Sequence, residues 1–130
     1  MRHKRFRDPI YNAEIHVITD CSHDAMNIKL NKLYKNIEED KEQCFNKAEC
    51  FRLIHDNNYK NYVVWFLEFK SNKAEILYTI AHEVSHLVDK IFEDRGVKDT
   101  EARAYYIEYW VRELWRFCSK KKNKPKGGKK

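Results

Sequence analysis

From residue 72 to residue 95 the apolar side chains Ile76, Leu77, Ile80, Val84, Leu87, Val88 and Ile91 recur at spacings of three and four. That period predicts an amphipathic helix. Asn72, or Ser71 before it, is placed to cap the start, Glu75 puts a negative charge in the first turn, and Gly96 supplies a stop. A second helix follows, capped by Asp99 or Thr100, with Ala104, Ile107, Val111, Leu114 and Cys118 along one side. The link through Gly96, Val97 and Lys98 is short, so the two helices are expected to be neighbours, antiparallel or crossed.

Upstream the period changes. Residues 14–19 alternate polar and apolar like a strand, and a helix capped by Ser22 or Asp24 is expected to run to Ile37 with Met26, Leu30, Leu33 and Tyr34 on its apolar side. Residues 50–55 and 62–69 read as two strands, joined across residues 56–61 as a hairpin. The expectation is an α+β domain, a small sheet with a hairpin packed on the long helix and the one after it. Should the strand at 62–69 lie at a sheet edge, an extended peptide could bind there by adding a strand.

The long helix carries the chemistry. His82-Glu83-Val84-Ser85-His86 is an HExxH motif near its middle. Histidines four apart stand on one helix face, roughly 6 Å apart along the axis. Both imidazoles can then reach one metal at about 2.0–2.1 Å. Glu83 projects beside the metal's open position, where a carboxylate can take a proton from water. Glu101, in the first turn of the next helix, is the best-placed third ligand, with Asp89, Glu93 and Asp94 as competitors. Asp89 could instead orient a ligand from behind. Tyr78 and Tyr105, one turn from His82 and Glu101, are candidate hydrogen-bond donors to an oxyanion, ahead of Tyr106 and Tyr109. His16, His23 and His55 are expected on strand or loop surfaces.

The motif at residues 82–86, followed by Glu101-Ala102-Arg103-Ala104-Tyr105, resembles the gluzincin-type zinc metallopeptidases. It looks closest to their small intracellular and phage-encoded members, the ImmA/IrrE-like group, whose third ligand often sits in a Glu-Ala-x-Ala-aromatic setting. The resemblance covers residues 72–115. It implies Zn2+ held by His82, His86 and Glu101, and peptide hydrolysis by zinc-activated water with Glu83 as general base. Two departures stand out: the interval from His86 to Glu101 is short for the family, and Ser85 replaces a common glycine. Strand, helix, hairpin and then the HExxH helix is also the order of a minimal zincin scaffold.

Composition narrows the classes. A chain of 130 residues, 42% hydrophobic and 14% aromatic, suits one packed domain. No stretch approaches the roughly 18 apolar residues of a membrane span, and no apolar signal core opens the chain, so a cytoplasmic location with no membrane partner is expected. Cys21, Cys44, Cys50 and Cys118 show no CxxC pairing and are expected as reduced thiols.

The net charge of +6 belongs to the ends. Residues 119–130 hold seven lysines and no acid, and residues 1–8 hold four basic residues against Asp8. The ends carry +7 and +3, so the body between them is 6−7−3, or −4. Residues 1–8 read as a basic arm, 9–118 as the domain, and 119–130 as a disordered lysine-rich tail able to touch nucleic acid or an acidic partner weakly. The rival to a peptidase acting on a peptide or protein is a phage-type structural or assembly protein that keeps the fold with structural or vestigial zinc. A nucleic-acid module has no helix-turn-helix or zinc-finger spacing behind it.

Overall fold

Tyr62, Val63, Val64, Trp65 and Phe66 are all at most 2% exposed. A run that is buried on both faces belongs inside a sheet. In the computed structural model, which describes residues 1–37, 47–56, 58–69 and 72–120, that is where it lies. The elements are β1 (Arg2–Asp8), β2 (Ala13–Thr19), α1 (His23–Leu33), β3 (Ala48–His55), β4 (Asn58–Phe66), α2 (Lys73–Arg95) and α3 (Thr100–Cys118). The sheet order is β1-β2-β4-β3, with β2 and β4 parallel and both outer strands antiparallel to their neighbours. The molecule is thus an α+β domain.

Alternation along the strands sends side chains to two cores. Ile15, Val17, Tyr62, Val64 and Phe66 meet Ile80, Val84, Leu87, Val88 and Ile91 of α2 and Tyr106, Trp110 and Leu114 of α3. On the other face Ile18, Leu53, Val63 and Trp65 meet Met26 and Leu30 of α1.

The caps of the two long helices follow the sequence. The Asn72 side chain accepts from the Ala74 and Glu75 amides, and Asp99 does the same for Glu101 and Ala102. Gly96 takes φ 68°, the left-handed conformation that glycine tolerates best, while the Val97 amide bonds back to the Phe92 carbonyl at 2.9 Å.

Four expectations are corrected. Residues 2–8 are no detached arm: they form β1, paired with β2 along its whole length. Phe6 of that strand packs edge-on against Trp110, and Tyr106 donates to Asp8, so the segment is welded to α3. The strand expected at 62–69 begins at Asn58, ends at Phe66 and is interior, which removes it as an edge for peptide addition. Among the described residues the outer strand beside α2 is β3, bridged at His55 by Ile37. Helix α1 stops at Leu33, and Asn36 turns to φ 57° before Ile37 bridges to His55. On α3 the buried stripe is Tyr106, Trp110, Leu114 and Cys118, with Ala104 facing out.

Cys21, Cys50 and Cys118 are free thiols. Cys44 and the lysine-rich tail beyond Lys120 lie outside the described residues. Among the described residues no helix is long and apolar enough to cross a membrane.

Candidate functional site

Helix α2 buries Ile80, Val84, Leu87, Val88 and Ile91 on one side, which fixes where its other residues point. His82 and His86 fall on the side away from the core, and the His82 side chain is 69% exposed. Their Nε2 atoms lie 3.2 Å apart with the rings at 77°. Glu83 turns the other way, toward β3, and is only 6% exposed. Its Oε1 sits 3.9 Å from Nε2 of His82, and its Oε2 is buried with no hydrogen-bond partner among the described residues. Burial raises the Glu83 carboxyl above its ordinary pKa; the His82 and Lys90 charges oppose this and Glu49 adds to it. Burial, and then Lys90 and His82, lower that of His86.

This donor set can be tested against zinc by geometry alone. Two imidazole nitrogens at about 2.05 Å from one tetrahedral ion stand roughly 3.3 Å from each other. The observed 3.2 Å matches that span. An orphaned, buried carboxylate oxygen alongside is the group that could accept a proton there. The pair and its neighbour therefore fit a metal.

The third ligand is a different matter. Glu101 stands exposed in the first turn of α3, its amide bonded to Asp99 at 2.9 Å. Among the described residues no three of His, Cys, Asp or Glu gather closely enough to hold an ion, so Glu101 does not join the histidines here. Its competitors are engaged elsewhere. Asp89 takes Arg103 at 2.8 Å, while Asp94 and Glu93 take Arg52 at 2.9 and 3.6 Å.

Tyr78 and Tyr105 are 72% and 70% exposed, and among the described residues neither hydroxyl is hydrogen-bonded. Tyr106, by contrast, is buried, and burial and then the hydrogen bond to Asp8 push its hydroxyl far above the ordinary range.

Sequence reasoning passed over several neighbours of the motif. Cys50 of β3 packs on the α2 side of the sheet, and its thiol is pushed up to about 12, mainly by burial. Arg103 of α3 also reaches Ser85, inside the motif, at 3.4 Å. Lys90, four residues after His86, was open to a reading of helical spacing.

His16 overturns the expectation of a surface position. It is fully buried, with Nδ1 2.9 Å from His3 Nε2 and Nε2 2.7 Å from the Tyr34 hydroxyl. Tyr34 also receives Arg5 at 3.0 Å and reaches Asn61 at 3.3 Å, and Asn61 in turn meets His55. Burial, then the charges of His3 and Arg5, bring His16 down to about 4. His23, intermediate in burial, lies 3.7 Å from Glu49.

Comparison with family models, with curated proteins and with solved structures finds no match to the chain.

Proposed function

We propose that this protein is a zinc-dependent peptide-bond hydrolase of the gluzincin type. The observation that carries the reading is the 3.2 Å separation of the His82 and His86 nitrogens, with a Glu83 oxygen beside them that is unbonded among the described residues. His82 and His86 are the residues to hold zinc. Glu101 is the third ligand we assign, because it is exposed and the competing carboxylates are tied to arginines. Bound there, zinc supplies Lewis-acid polarisation and lowers the pKa of water toward about 7.

The chain's own residues do the rest. Glu83 accepts the proton from the attacking water at its free oxygen and returns it to the leaving amine. The helix core behind α2 keeps both imidazoles in register. The outer strand β3, unpaired among the described residues except for the Ile37 bridge at His55, offers backbone groups to an extended peptide. Tyr78, one turn before His82 and with a hydroxyl uncommitted among the described residues, is the assigned oxyanion donor; Tyr105 lines the cleft between the β1–β2 turn and α3. The expected location stays cytoplasmic.

The test is Glu83→Gln. The variant should keep one zinc per chain and its fold while losing hydrolysis of a peptide pool by about 100-fold or more. Cleavage at the parental rate removes Glu83 from the chemistry, and a parent that takes up no added zinc removes the site.

A second reading, a phage-type assembly protein with a structural or vestigial zinc, draws on the exposed Ile10, Tyr105 and Tyr109 around a cleft between the β1–β2 turn and α3. A parent that binds zinc and cleaves nothing favours it.

A further inference from the structure

Among the described residues Asp8 is a buried carboxylate without a counter-ion. It is 6% exposed at the end of β1, and its two oxygens take the Ile10 amide at 2.9 Å and the Tyr106 hydroxyl. Both donors are neutral, and an ionised carboxylate has further acceptor positions to offer. The arginines of this corner are engaged elsewhere. Alternation sends Arg7 to the opposite face of β1, where it meets Glu14 at 3.1 Å. Arg95 donates to the Tyr11 and Asn12 carbonyls at 2.7 and 3.0 Å.

Asp8 lines a cleft of about 380 Å³ between the β1–β2 turn and α3, within the range of small-molecule sites. Four tyrosines share the lining. Tyr11 and Tyr106 meet edge to face, their centroids 4.8 Å apart, and both pack on Phe92, so these two rings are fixed. Tyr105 and Tyr109 stand one turn apart on α3, both exposed, and exposed Ile10 lines the cleft from the turn.

Aromatic rings beside an enclosed carboxylate make a site for an organic cation. That cation is one that needs no hydrogen bonds. Asp8 already accepts two, and the walls are rings and an aliphatic side chain. A primary ammonium, strongly hydrated, would give up its water there without replacement. A quaternary ammonium has no N–H to satisfy and presents its charge through methyl groups.

We propose that this cleft binds a small trimethylammonium compound, held by the rings of Tyr105 and Tyr109 and by the charge of Asp8. None of His82, Glu83 and His86 lines the cleft, so the assignment does not depend on the hydrolase reading.

The experiment titrates the full-length protein with choline and with its carbon analogue, dimethylbutanol, which has the same shape and no charge. Tyrosine ring resonances are followed by NMR at constant ionic strength. Choline should bind roughly tenfold more tightly, the scale of a partly desolvated cation–π contact. The chain's charge of +6 works against that preference, since it repels cations at long range. Tyr105→Leu and Tyr109→Leu should each weaken choline about threefold or more, while Tyr105→Phe, which keeps the ring, should bind like the parent. Asp8→Asn should remove most of choline's advantage over the alcohol. Melting curves show whether that variant folds, and the leucine variants, at exposed positions, decide the matter if it does not. Tyr78→Leu, at an exposed tyrosine outside the cleft, should change nothing.

No binding of choline, or equal affinity for choline and the alcohol, overturns the assignment. So does choline binding that both leucine variants leave untouched. Choline binding that emerges only when the chain is ended after Lys120 means that the protein's own lysines fill the cleft, and it overturns an outside ligand.

Discussion

Two pairs of histidines face each other in this molecule, and their ring nitrogens are almost equally close. On α2 the separation is 3.2 Å; between β1 and β2 it is 2.9 Å. The surroundings are opposite. His16 is fully buried and has both nitrogens occupied, one by His3 and the other by Tyr34. His82 and His86 stand in solvent on a rigid helix, and each other's ring is their hydrogen-bonding contact among the described residues. A close approach of two imidazoles therefore says little by itself. What counts is whether the remaining nitrogens and the space around them are spent. The first pair is closed and ties β1, β2 and the end of α1 together; the second is open to something from outside.

That contrast can be broken by separating the two pairs experimentally. Alanine at His82 or His86 should weaken zinc binding about a thousandfold, beyond the 10–100-fold typical of a residue that only supports a ligand. Its melting temperature should hardly move, since the site is exposed. Competition against a chromophoric chelator reads the affinity, and a wild-type value in either variant would dissolve the distinction.

His16 should behave the other way round. With a folded pKa of about 4 against an ordinary 6.5, the unfolded chain binds the extra proton between those values. Stability is then whole above about pH 6.5 and falls by roughly 3 kcal/mol as the pH drops to about 4. Urea melts across that window should show the slope in the parent and a flatter one in His16→Phe. An unchanged slope would mean that the acid sensitivity lies in other groups.

Tyr34→Phe removes one member of the part-buried chain of hydrogen bonds and should cost about 1 kcal/mol, leaving zinc affinity untouched. The smallest effect is expected from ending the chain after Lys120. Six lysines go, neither pair loses a neighbour described here, and both melting and zinc content should stay within error. Binding to duplex DNA should fall, steeply with added salt in the parent. Salt-resistant binding that survives the truncation would place a nucleic-acid surface on the folded body.

The long helices were legible because their signals agree: an apolar stripe, a side-chain cap at Asn72 and Asp99, and a glycine stop at Gly96. The HExxH face was legible for the same reason, since helical spacing alone places Glu83 beside two co-facial histidines. β1 was hidden by its charges. An edge strand lets arginine and lysine reach water while its backbone pairs inward, so Arg2-His3-Lys4-Arg5-Phe6-Arg7-Asp8 reads as a loose arm. His16 was hidden because alternation fixes which face a side chain takes but not what covers that face. Here the cover comes from His3 and Tyr34, distant partners that local pattern cannot supply. The position of Glu101 relative to the histidines depends on how α3 leaves Gly96, a tertiary matter beyond spacing.

β1 has a consequence for how the protein behaves in bulk. Its Arg2, Lys4, Arg5 and Arg7 border one outer edge of the sheet, with Glu14 offsetting Arg5 and Arg7 only in part. Two molecules approaching strand to strand along that edge bring like charges face to face, and in dilute buffer they repel. The reach of that repulsion shrinks from about 10 Å at 0.1 M salt to about 3 Å at 1 M. That edge should keep molecules apart in weak buffer, and association through β1 should begin as salt is raised.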